Sequence, residues 1–148
     1  MIEVLFDKLA KLHFRLFGSK RLKPNEQLCL DAWRASLPEN SRSVLEAQLK
    51  SAYLVQRQAG GAKVCFFYPD NVLAPLFKNQ EPNHHVATVV LRATENSEKQ
   101  RMAVKIFVHR GRFFSIEFPK RPERYLEQHG MKGMPLQVAD VVVHQQIR

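Results

Sequence analysis

The feature that most constrains the fold is an alternation of apolar and polar residues on both sides of a short turn that contains Gly111. Before the turn, apolar residues occupy every second position: Met102, Val104, Ile106 and Val108. After the turn, residues 112 to 118 alternate in the same way, with Phe114, Ile116 and Phe118 on the apolar face. A period of two residues is that of a β-strand with one buried face. The segment therefore predicts a β-hairpin that covers a hydrophobic core.

The length of the turn decides which residues of this hairpin share a face. A two-residue loop would place Phe114 beside Phe107 and so mix the two faces. A three-residue loop, formed by residues 109 to 111, pairs Ile106 with Phe114 and keeps the apolar faces together. It also gives Gly111 a left-handed conformation, which glycine adopts without steric cost. We therefore predict the three-residue loop.

Further segments carry the signals of β-strands. Residues 86 to 93 and 138 to 143 are rich in β-branched side chains, so we expect both in the same sheet as the hairpin. Residues 53 to 58 leave two alternatives open, because they can extend a preceding helix or pair with residues 63 to 68 across Gly60-Gly61. Parity supports the pairing, since apolar positions mostly match across the two segments.

Apolar residues at helical spacing predict helices before the sheet. The first helix spans residues 1 to 17, and the second begins near Pro24 and ends before Pro38. Trp33 lies on the apolar stripe of the second helix, so we expect it in the core. Ser43 and Glu46 have the spacing of a capping box, which predicts the start of a third helix.

These elements predict one basic α+β domain over residues 1 to 148, in which N-terminal helices pack on a mostly antiparallel sheet of about five to six strands. Residues 1 to 52 are expected to be mainly helical. Residues 53 to 148 are expected to be mainly sheet, with a short helix near residues 123 to 129.

The charge of the chain restricts its partners more than its fold. Lysine and arginine exceed aspartate and glutamate by 23 to 14, which gives a formal net charge of +9. Such an excess attracts nucleic acid, anionic membrane surfaces or acidic proteins at long range. No apolar run approaches the about 20 residues of a membrane-spanning helix. Cys29 and Cys65 lie within apolar stretches, which is typical of core thiols in a reducing compartment, so we predict a cytoplasmic protein without a transmembrane segment.

The chain lacks the patterns that support common enzymatic chemistry. Its glycines do not have the spacing of a phosphate-binding loop, and no serine lies in a G-x-S-x-G segment. The adjacent pair His84-His85 is expected to point to opposite faces of a strand, so the two rings cannot share a metal ion. We predict no catalytic residue, no metal site and no cofactor, and an enzyme with an unrecognised cleft is kept only as a third alternative.

The candidate binding site lies on the second face of the predicted hairpin. In the predicted register Phe107 faces Phe113 there, Lys105 lies beside them, and Arg110 and Arg112 flank the loop. Rings can stack on unpaired bases while cations contact phosphates. We therefore predict that these five residues bind nucleic acid. The structural alternative is that this face is buried under other elements.

The sequence thus predicts a non-catalytic cytosolic protein that binds an anionic macromolecule, with single-stranded nucleic acid as the first candidate. The alternative is a protein-interaction module for an acidic partner, such as an adaptor or a toxin-neutralising immunity-type protein. The oligomeric state and the identity of the partner are left open by the sequence.

Overall fold

The computed structural model describes residue 5 and residues 22–52, 54–69, 74–93, 101–128, 130 and 132–144. Within these ranges the chain forms helices α1 (Pro24–Ser36), α2 (Glu39–Ser51) and α3 (Pro122–Gln128). The strands are β1 (Leu54–Gln58), β2 (Lys63–Phe67), β3 (His84–Arg92), β4 (Met102–His109), β5 (Arg112–Glu117) and β6 (Gln137–Val143). The predicted α+β class, with N-terminal helices packed on an antiparallel sheet, is confirmed. Apart from Leu5, the helix predicted over residues 1 to 17 lies outside the described residues.

The six strands form one sheet in the order β1-β2-β5-β4-β3-β6, and every neighbouring pair is antiparallel. Residues 54 to 58 are a strand and not a helical extension, because they pair with β2 in the register that aligns Val55 with Phe66 and Arg57 with Val64. The sheet therefore has β1 and β6 at its edges and the β4–β5 hairpin near its centre.

The helices and one face of the sheet enclose a single apolar core. Trp33 of α1 is fully buried, with its ring 6.4 Å from that of Phe77 and 5.4 Å from that of Phe113. Leu45 of α2 belongs to the same core as Ile106 of β4. The predicted core position of Trp33 is confirmed, and the strands supply the opposite wall of the core through alternate residues, as their two-residue period requires.

The two long helices begin where prolines fix the backbone. Pro24 is the first residue of α1, a position where the missing amide hydrogen costs nothing. Pro38 holds an extended conformation immediately before α2, and Glu39 occupies the first turn, where its charge complements the helix dipole. The predicted start at a Ser43 capping box is therefore wrong, because α2 begins four residues earlier and Ser43 lies inside it.

A buried ion pair joins α1 to the edge strand β1. Glu26 is only 3% exposed, and its carboxylate accepts two bonds from Arg57, one from Nε at 2.9 Å and one from Nη2 at 2.6 Å. The backbone amide of Lys23 donates a third bond to Glu26 at 2.8 Å. A buried carboxylate needs hydrogen-bond donors, so this ion pair fixes the position of α1 on the β1–β2 hairpin.

Candidate functional site

The turn between β4 and β5 contains two residues, Arg110 and Gly111, and both have positive φ angles, 50° and 81°. Two consecutive left-handed residues form the hairpin turn that matches the natural twist of paired strands. The predicted left-handed conformation of Gly111 is confirmed, whereas the predicted three-residue loop is wrong.

A β-bulge in β5 explains why the two-residue turn does not mix the faces. Phe107 pairs with Ser115, while the next residue, Val108, pairs with Phe113. Phe114 is therefore an extra residue with no direct partner in β4. Such a bulge shifts the alternation by one position, so the apolar side chains on both sides of it still reach the core.

The bulge exchanges the predicted positions of two neighbouring rings. Phe113 was expected beside Phe107, but it is fully buried in the core, with its ring 4.4 Å from that of Phe66. The predicted placement of Phe113 is therefore wrong. Phe114 takes the outward position and remains partly exposed.

The tip of the hairpin is packed under the loop that precedes β3. The carbonyl of Gly111 accepts a bond from the Phe77 amide at 2.8 Å, and the Arg110 amide donates to the Glu81 carbonyl at 3.0 Å. The Arg110 side chain is exposed. Arg112 is half-buried, with its guanidinium 5.9 Å from the centre of the Tyr68 ring. Of the two predicted arginines, Arg110 thus lies in the turn and Arg112 directly after it, and the backbone of the turn is itself covered.

Gln48 of α2 fixes the tip from the core side. Its side chain has no exposed surface, and its Nε2 donates to the carbonyls of Pro75 and Gly111, both at 2.9 Å. Its Oε1 accepts a bond from the Phe113 amide at 2.9 Å. A buried amide with all of these bonds made is expected to hold one hairpin conformation, because any shift would leave polar groups unpaired.

The sheet face opposite the core is called the open face below. Strand pairing arranges its side chains in rows across the sheet. One row is Lys63, Glu117, Lys105 and Thr88. The next row is Cys65, Ser115, Phe107 and His85. A third group consists of the rings of Phe67, Phe114 and His109.

The rings of the open face contact one another and remain partly accessible. Phe114 lies edge-on to Phe67 with ring centres 6.4 Å apart, and its centre is 5.5 Å from that of His109. Phe107 stacks on His85 at 5.1 Å and an interplanar angle of 26°. All five rings are partly exposed. This arrangement holds ring edges and faces in fixed positions at the surface, because each ring is supported by a neighbour.

Cations lie among these rings. The Lys63 ammonium is 5.8 Å from the centre of the Phe114 ring and 3.9 Å from a Glu117 carboxylate oxygen. Lys105 is exposed and lies directly opposite Glu117 in the neighbouring strand. Glu117 therefore lies between two lysines, so the charged row has an excess of positive charge.

Two histidines meet at the β3–β6 end of the open face. Thr88 Oγ1 lies 3.1 Å from His85 Nε2 and 2.6 Å from His144 Nε2, and the two ring centres are 4.3 Å apart. Burial lowers the pKa of His85, and the neighbouring His144 lowers it further. His84 is 8% exposed and pairs with Val108 of the core face, so the prediction that His84 and His85 point to opposite faces is confirmed.

The described part of the chain contains no cluster of three or more histidine, cysteine, aspartate or glutamate side chains suited to a metal ion. A cavity between Lys23, Glu26, Gly61 and Pro122 has a volume of about 10 Å³, which is room for about one water molecule. Within the same described ranges, no helix is long and apolar enough to cross a membrane.

Both cysteines are buried as free thiols. Burial, with a smaller effect of the Glu26 charge, raises the pKa of the Cys29 thiol to about 12. Burial also raises the pKa of Cys65, the effect being larger than the opposing one of Lys63. Since the thiolate is the reactive form, neither side chain is set up as a nucleophile.

The structure therefore places the five predicted residues differently from the sequence prediction. Lys105 and Phe107 lie on the open face, Arg110 and Arg112 lie at its hairpin end, and Phe113 lies in the core while Phe114 takes the outward position. The prediction missed the residues of β2 and the histidine cluster. Parity in β2 could have found Lys63 and Phe67, because the register of the hairpin alternative for residues 53 to 58 is the observed one.

No protein-family model, no curated protein and no solved structure significantly matches this chain. Any inference about function therefore rests on the chemistry of the open face.

Proposed function

We propose that the open face binds single-stranded nucleic acid. The observation that carries this proposal is the presence of two partly exposed phenylalanines, Phe107 and Phe114, on the same face as Lys63 and Lys105. Exposed rings on a sheet offer stacking surfaces for unpaired bases, and cations beside them can contact the phosphates between those bases.

A single strand suits this face better than a duplex. The bases of a duplex are stacked on one another, so rings on a sheet cannot reach their faces, whereas the bases of a single strand can be spread across such a surface. The formal net charge of +9 adds a long-range attraction for the phosphate backbone that does not depend on base sequence.

The first test separates the rings from the charges. Phe107→Leu keeps an apolar side chain on β4 but removes the aromatic surface, and Phe114→Leu does the same at the bulge. Each change is expected to weaken binding of a labelled single strand by about 1 to 3 kcal/mol, the usual contribution of one base stacked on a ring. The salt dependence of binding should stay nearly unchanged in both variants, because no cation is lost.

The second test asks where the useful charges lie. Lys105→Gln and Lys50→Gln each remove one exposed lysine, the first from the open face and the second from α2. If phosphates lie on the open face, Lys105→Gln reduces the slope of log affinity against log salt by about 1, while Lys50→Gln leaves it unchanged. Equal effects of both variants would mean that only the net charge matters.

An acidic protein partner is the competing outcome of the same experiment. A protein interface with an apolar centre loses less affinity with salt than a phosphate backbone does. Folded wild-type protein that fails to bind any single strand at low salt would contradict the proposal and favour an acidic protein on this face.

A further inference from the structure

The cluster of His85, Thr88 and His144 is a second group of polar atoms on the open face, and the proposed function does not use it. It joins two neighbouring strands, because Thr88 belongs to β3 and His144 follows directly after β6. The His144 amide also donates to the Val86 carbonyl at 3.0 Å, which fixes the backbone that carries this ring. The cluster is therefore built into the sheet.

The hydrogen-bonding capacity of a hydroxyl limits the states of this cluster. Thr88 Oγ1 has one hydrogen to donate and two lone pairs, and it contacts one Nε2 atom of each ring. At most one ring nitrogen can therefore accept from the hydroxyl, and the other must carry a hydrogen. When both rings are protonated, both nitrogens donate, and the hydroxyl hydrogen is free for a third partner.

Charged residues of the neighbouring strands lie close to the cluster. Lys105 of β4 lies directly opposite Thr88, and Glu117 of β5 is the next residue along the same row. Asp140 of β6 pairs with Val90, two positions along β3 from Thr88. The charged form of His85 is thus opposed by Lys105 and favoured by Glu117, and a bound anion would favour it further.

We propose that His85, Thr88 and His144, with Lys105 beside them, form a subsite for one phosphate group, and that binding of the phosphate is coupled to proton uptake at His85. The inference rests on the proposed function, since it assigns one phosphate of the bound strand to this end of the open face. Phe107 stacks on His85, so the subsite adjoins one of the two rings that are proposed to stack on bases.

The thermodynamic linkage between proton binding and phosphate binding gives the direction in which affinity changes with pH. Burial and the neighbouring ring favour the neutral form of His85 in the free protein, so its pKa lies below the usual value. A bound phosphate favours the charged form, and affinity must rise as the pH falls wherever the complex holds more protons than the free protein. Lysine and arginine keep their charge throughout this range and add no pH dependence.

The first experiment measures the affinity of wild-type protein for a labelled single strand between about pH 7.5 and about pH 5.5, the range in which histidine titrates. Affinity should rise by up to about tenfold per pH unit for each proton taken up. The double variant His85→Gln with His144→Gln should lose most of this dependence. The matched variant His109→Gln removes another ring of the open face and should keep most of the dependence.

A second measurement uses inorganic phosphate alone, without any nucleic acid. Its addition at about pH 5.5 should shift the ring resonances of His85 and His144 in NMR spectra, with smaller shifts at His109. Absence of those shifts would overturn the subsite, and so would a pH dependence that survives in the double variant. Phosphate shifts without any binding of a single strand would support the subsite and contradict the proposed function.

Discussion

Gly111→Ala tests the structure of the hairpin tip, because it adds a single methyl group at the most restricted glycine of the sheet. The φ angle of Gly111 is +81°, a region that residues with a Cβ atom rarely adopt. A Cβ atom at this position would lie 2.6 Å from Gln80 Nε2 and 2.7 Å from the Phe77 carbonyl oxygen. The first neighbour is the end of a flexible side chain, but the second is backbone.

The loss of stability expected for Gly111→Ala follows from two effects. A left-handed alanine costs about 1 to 3 kcal/mol of backbone strain. Relief of the contact with Phe77 requires the tip to move, and the Gly111 carbonyl then weakens its bonds to Gln48 and to the Phe77 amide. Since a buried donor left without an acceptor costs about 1 to 3 kcal/mol, we expect a total loss of about 2 to 6 kcal/mol.

Gly133→Ala is the matched control. Its φ angle is +80°, nearly that of Gly111, but no atom lies within 4 Å of a Cβ built there. This variant therefore reports the backbone strain alone, at about 1 to 3 kcal/mol. Urea unfolding followed by the fluorescence of Trp33, the single tryptophan of the chain, measures both variants.

The difference in the free energy of unfolding between Gly111→Ala and Gly133→Ala tests whether the hairpin tip is held in place. If Gly111→Ala loses no more stability than Gly133→Ala, the tip is not held by the loop and by Gln48, and the account of the hairpin is wrong.

Three further predictions concern the core and the titrating groups. Trp33→Ala should cost about 3 to 5 kcal/mol in a urea melt followed by circular dichroism, and a cost under about 1 kcal/mol would contradict its core position. Because the pKa of His85 is lowered in the folded protein, the unfolded chain binds its proton at higher pH; stability should therefore fall as the pH drops below about 6.5, and less so in His85→Gln. Equal pH dependence in both proteins would refute this. Cys29, with its pKa raised to about 12, should not react with a thiol reagent at mildly alkaline pH until the protein is unfolded in urea.

The sequence predicts most of the strands because burial on one face leaves a two-residue period. The alternation of Met102, Val104, Ile106 and Val108 is reproduced as four buried positions of β4. Pairing of residues 54–58 with β2 is the alternative that parity supports, because the apolar positions of the two segments mostly match in the observed register.

The bulge at Phe114 is the feature that parity could not supply. It is a local irregularity that satisfies two demands at once, a two-residue turn with the correct twist and a continuous apolar face. Without a bulge, a two-residue turn would mix the two faces, so the sequence pattern favours a three-residue turn instead. The resulting shift of one residue assigned Phe113 to the site and Phe114 to the core, the reverse of their observed positions.

The histidine cluster could not be predicted because it depends on contacts far apart in the chain. Thr88 and His144 are separated by 56 residues, and they meet only because β6 pairs with β3 at the edge of the sheet. Gln48 escaped notice for a similar reason, since a glutamine in an amphipathic helix gives no sign that its partners are backbone groups of a distant turn.

Backbone amide chemical shifts, followed by NMR during titration with a short single strand, report directly whether the open face binds the strand. If it does, the largest shifts cluster at Lys63, Lys105, Phe107 and Phe114, with small shifts along α1 and α2. Largest shifts on the helices, or no shifts at any concentration of the strand at low salt, would contradict binding at the open face.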